Sequence, residues 1–60
     1  MYKNLTKQQV LQMDRLEMIN VLEWNDRNGT YNDEDSESEG FPPLTKDLCI
    51  SLICYQFEFE

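Results

Sequence analysis

The chain has 60 residues, with 12 acidic and 5 basic side chains and no histidine, for a net charge of −7. That balance excludes a basic footprint for direct nucleic-acid binding, and the length excludes more than one domain. A chain this short buries only about 60 % of its unfolded surface, so it is marginally stable without a disulfide, a metal or self-association. A hydrophobic share of 40 % and an aromatic share of 12 % still predict a folded protein.

The opening residues Met1 to Gln9 hold no apolar run of signal-peptide kind. The longest uncharged run, Leu48 to Phe57, is much too short to span a bilayer. The expectation is a soluble, cytoplasmic protein with no membrane contact. Cys49 and Cys54 stand five residues apart, about 500° around a helix, so they read as small buried hydrophobes rather than a disulfide.

A helix is predicted over residues 6–24, free of Gly and Pro. Thr6 caps it, Gln9 completes a capping box, and Asn28-Gly29 supplies the stop. Its apolar residues fall in three stripes. Leu11, Met18 and Leu22 form one, Val10, Met13, Val21 and Trp24 a second, and Leu5, Leu16 and Ile19 a third. Apolar residues on most of the circumference call for cover on more than one side. A homodimer is the expected remedy, with Leu11, Met18, Ile19, Leu22 and Trp24 at the interface.

Residues 25–43 read as an exposed acidic loop. Asp33, Glu34, Asp35, Glu37 and Glu39 lie in a stretch with no basic and no apolar side chain, which cannot offset the entropy of ordering a backbone. Asp26, Asn28, Thr30, Asn32, Glu34 and Glu37 fall at the oxygen-ligand positions of an EF-hand calcium loop. However, Tyr31 occupies the position that needs glycine, and prolines replace the exiting helix, so no metal is expected. Phe41-Pro42-Pro43-Leu44 forces an extended approach to the next element.

A second helix is predicted over residues 45–55, capped by Thr45 with Asp47 in its first turn. Residues 56–60 follow as an extended tail in which aromatic and polar residues alternate. The fold class is therefore all-α: a helical hairpin of two helices joined by an acidic loop, dimerising into a four-helix arrangement.

No catalytic signature is present. The chain lacks histidine, neither cysteine has a neighbour that would lower its pKa, and Ser36 and Ser38 sit among carboxylates that oppose activation. A non-enzymatic protein without a cofactor is expected. The acidic run has two readings: a solvating linker, or a mimic of the nucleic-acid backbone that meets a basic protein surface. In the second, Asp33, Glu34, Asp35, Glu37 and Glu39 bind the partner, flanked by Tyr31 and Phe41 as apolar anchors. In size, charge and helix content the chain resembles phage-encoded inhibitors of host nucleic-acid-handling proteins, anti-restriction and anti-CRISPR proteins among them. That resemblance implies an inhibitor of anti-defence or host-takeover type. The alternative is a structural or assembly subunit, in which the loop gives only solubility and Tyr55, Phe57 and Phe59 add as a strand to a partner's sheet edge.

Overall fold

The computed structural model describes Tyr2 and residues 4–59, and within them it is all-helical. Four helices follow in order: α1 (Lys7–Leu11), α2 (Arg15–Asn25), α3 (Asp33–Glu39) and α4 (Lys46–Gln56). The all-α class therefore holds. The expected pair of helices does not, because the first is split and the acidic run is itself helical.

The split lies at residues 12–14. Thr6 caps α1 through the capping box with Gln9, and Asp14 opens a new helix by accepting the Glu17 amide at 2.8 Å. A single helix over 6–24 would run about 28 Å, against about 16 Å for the 11-residue α4 beside it. Much of it would then have no partner. Turning at Asp14 lets α1 fold back against α4, and Val10 becomes fully buried.

α2 and α4 form the central pair. Arg15, the first residue of α2, donates from Nε to the carbonyl of Leu44, just ahead of α4, at 2.7 Å. Asn25, the last residue of α2, donates to Gln56, the last of α4, at 2.9 Å. Like ends therefore meet like ends. The two helices run in the same direction, whereas the two arms of a hairpin run in opposite ones. Parallel neighbours need a connection that returns the chain to its starting level, and a short turn cannot do this. The return path is the segment between Asp26 and Thr45, with α3 inside it.

The core is small. Met18, Ile19, Val21 and Leu22 come from α2, Cys49 and Ile53 from α4, Val10 from α1 and Tyr31 from the return path. Burial of a side chain of this size contributes about 1.5–3 kcal/mol. Leu5, Met13, Leu44, Ile50, Leu52, Phe57 and Phe59 pack around it, half-buried. Tyr2 adds an edge-to-face contact with Trp24, ring centroids 5.4 Å apart, and its hydroxyl donates to Glu17 at 2.8 Å.

The tail is not extended. The Phe57 amide continues the helical pattern to Ile53, and the Glu58 and Phe59 amides close back on the Tyr55 and Cys54 carbonyls. This is a Schellman closure, with Glu58 in the left-handed conformation at φ 59°. The reason is local: the last α4 carbonyls need donors, and the tail amides supply them. Phe57 and Phe59 stack at 5.7 Å and face the core, so no free strand edge remains over residues 57–59. Glu60 lies outside the described residues.

Candidate functional site: the acidic helix

The acidic run forms a helix because both its ends are capped by residues of the right kind. Asn32 accepts the Asp35 amide on its side-chain oxygen at 2.7 Å. Asp33, Glu34 and Asp35 occupy the first turn, where negative charge meets the positive end of the helix dipole. At the other end Gly40 adopts φ 77°, and the Gly40 and Phe41 amides bond back to Glu37 and Ser36. This is the same closure that ends α4, here with the glycine that suits it.

Ser36 is the one buried residue of α3, at 2 % exposure. On a helical wheel Glu34 and Ser38 stand on the side away from it, Asp35 and Glu37 on the two flanks, and Asp33 and Glu39 next to it on either side. All five carboxylate residues of α3 are exposed. Asp33 has a cation beside it. Arg15 grips its carboxylate with both terminal nitrogens, at 2.5 and 3.3 Å. The hydrogen bond from Arg15 holds the Asp33 carboxyl below the usual aspartate range, and the same bond raises the Arg15 guanidinium. No Lys or Arg occurs between Arg27 and Lys46 in the sequence.

Of the two expected apolar anchors, Phe41 is outside, 58 % exposed, and Tyr31 is not. Tyr31 is a core residue. Its hydroxyl donates to Asp26 at 2.9 Å and accepts from the Gln56 amide at 2.8 Å. Burial, ahead of the Asp26 hydrogen bond, raises its pKa above the ordinary tyrosine value, while the Gln56 donor works the other way. A phenol ring followed at once by a capped helix has to turn inward here, because the return path has no other apolar residue before Phe41.

The expected dimer-forming residues are divided in the same way. Met18, Ile19 and Leu22 are at most 2 % exposed and belong to the core of the single chain. The extra cover they called for comes from the chain's own α1, α4 and return path. Leu11 and Trp24 remain at the surface, and Trp24 carries Tyr2. The outer face of α4 shows a second apolar strip, Leu48 and Tyr55, with Leu52 half-buried between them.

The EF-hand-like oxygens are committed elsewhere. Asp26 faces Tyr31 and the Asn28 amide, Asn32 caps α3, and Glu34 and Glu37 sit on the helix itself. Among the described residues no three acidic or cysteine side chains converge as a metal group would need. Cys49 is fully buried and Cys54 half-buried, both as free thiols. Among the described residues no helix is long and apolar enough to cross a membrane.

Sequence reasoning missed Arg15, the residue that joins α2, α3 and the approach to α4. A single arginine at a helix start carries no pattern of its own. Asp14 was findable, because Asp14-Arg15-Leu16-Glu17 has the spacing of a capping signal.

No protein-family model, no curated protein and no solved structure matches this chain.

Proposed function

We propose that the chain is a non-enzymatic binding protein that uses α3 to occupy a basic surface on a protein that handles nucleic acid, and so inhibits it. The observation that supports this reading is the helical state of the acidic run. Extended, five carboxylates in seven residues would be spread over more than 20 Å. Wound at 1.5 Å per residue, they fall at one per about 2 Å of axis. Duplex DNA carries one charge per about 1.7 Å. With Asp33 paired to Arg15, the remaining four still give one per roughly 2.5 Å. A groove lined with Lys and Arg for phosphates would meet a comparable field, chiefly as a faster encounter that salt screens. Glu34, Asp35, Glu37 and Glu39 are the residues this reading relies on, with Phe41 beside them as the apolar contact.

The test is capture of binding proteins by the immobilised chain and by an E34Q/D35N/E37Q/E39Q variant. Asp33 is kept so that its pair with Arg15 survives, and circular dichroism checks that the variant is folded. The wild type is expected to retain basic, nucleic-acid-handling proteins, to lose them as salt rises, and to lose them to competing DNA or RNA. Retention by the neutralised variant sinks the reading. If a Leu48→Ser/Tyr55→Ser variant alone loses the partner, the outer face of α4 is the binding surface. The chain is then an assembly subunit whose acidic helix provides solubility.

A further inference from the structure

The return path is held at a few points and not by packing. α3 gives no apolar side chain to the core, and Ser36 is its only buried residue. Side chains of α2 and the Tyr31 ring tie the segment down. Arg15 binds the Asp33 carboxylate, and its Nε binds the Leu44 carbonyl. Asn32 donates to Glu23 of α2 at 2.8 Å, and Tyr31 seats its ring in the core. Arg15 thus touches both ends of the stretch between the Tyr31 anchor and α4.

The segment also has something beneath it. Cys49 and Gln56 of α4 are seven residues apart, two helical turns, and so share one face. Gln56 on that face meets the Tyr31 hydroxyl. Cys49 is fully buried, in the same core cluster as Tyr31. Tyr31 sits at Gln56 at one end of α4, and Arg15 holds Asp33 beside Leu44 at the other, so the return path crosses the Cys49–Gln56 face. Elements with little buried apolar surface open locally at lower free energy than the core they cover.

We propose that residues 32–43 form a strap that opens as a unit from an otherwise folded protein, that Arg15 is its latch, and that opening uncovers the Cys49 thiol. The strap hinges at Tyr31 and at Leu44, and α1, α2 and α4 remain packed when it lifts.

The test uses the Cys54→Ser protein, in which Cys49 is the only thiol, labelled with excess iodoacetamide over a series of urea concentrations. The labelling rate is expected to depend on urea much less steeply than global unfolding followed by circular dichroism. Arg15→Gln should then raise it several-fold, through loss of the ion pair to Asp33. Labelling with the full urea dependence of unfolding overturns the strap. A shallow dependence that Arg15→Gln leaves unchanged overturns the latch. Should Arg15→Gln not fold, amide hydrogen exchange of the wild type decides. The Gly40 and Phe41 amides must exchange faster than those of Val21 and Ile53, and equal protection overturns the proposal.

Discussion

The Tyr31 ring lies against the backbone of Gly29 so closely that a β-carbon there would overlap the ring and its hydroxyl. The ring cannot give way, because it is buried and bonded at its far end to Asp26 and Gln56. Glycine at this position is thus fixed by Tyr31 rather than by a helix stop; α2 has already ended at Asn25. Gly29→Ala is expected to cost about 1–3 kcal/mol, the range for overpacking a filled site. Gly40→Ala meets no neighbour, and its cost of about 1 kcal/mol comes from the left-handed backbone at φ 77°. Urea denaturation of both variants checks the size of each loss. Cysteine labelling separates them, since only Gly40→Ala loosens α3 itself.

Glu58 is the reverse case. It holds a left-handed backbone with a side chain, at the position where Schellman closures favour glycine. Glu58→Gly removes that strain and is expected to stabilise the chain by about 0.5–1 kcal/mol, part of the relief being offset by glycine's greater freedom when unfolded. Thermal melts of the two proteins at equal concentration should show the variant melting higher.

Tyr31→Phe keeps the ring and removes the hydroxyl that joins Asp26 to Gln56. Leaving those partners unsatisfied is expected to cost about 1–2 kcal/mol. The pH profile should change as well. The folded pKa of Tyr31 lies above the ordinary tyrosine value of 10.0, so its contribution is complete below that value. It is lost as pH rises through the folded pKa, because the unfolded chain ionises first. Stability of the wild type measured upward from pH 10 should fall more steeply than that of the variant. Tyr2 and Cys49, also raised, keep some slope in both.

The acid side carries the opposite sign. Arg15 lowers the Asp33 pKa below 3.8, so the pair's contribution is present above that value and disappears as pH falls through the folded one. Asp33→Asn should flatten this last acid step. An unchanged acid limb would mean that the pair is not formed in solution.

How much of this was legible in the sequence depends on whether the deciding force was local. Thr6 with Gln9 and Thr45 with the Leu48 amide are capping interactions within one turn, and the residue pattern announces them. The helicity of residues 33–39 was also written locally, in Asn32, three acids and Gly40. Reading the run by its lack of apolar side chains hid the caps, since burial and helix formation are separate questions in a short capped segment. The parallel sense of α2 and α4 was not legible. It rests on Arg15 meeting Leu44 and Asn25 meeting Gln56, contacts across 29 and 31 residues that no periodicity records. The surplus apolar face followed from the same gap. Once the chain doubles back at Asp14, most of the three stripes meet its own α4 and return path.

Val10 and Leu11 are neighbours on α1, and the break at Asp14 assigns them opposite fates. In one continuous helix Leu11 would share the core stripe of Met18 and Leu22, and Val10 would lie beside it. With the helix broken, Val10 is fully buried and Leu11 is 51 % exposed. Val10→Ala deletes two methyl groups from a closed site, and is expected to cost about 1.5–3 kcal/mol once the cavity is included. Leu11→Ala removes mostly solvated surface and should stay within about 0.5 kcal/mol of the wild type. Equilibrium urea unfolding of the two variants ranks them directly. If Leu11→Ala proved the costlier change, α1 would have to present its other face, either by continuing α2 without a break or by packing on a second chain. The larger loss is expected at Val10, because Asp14 accepts the Glu17 amide and starts the new helix whatever α1 does.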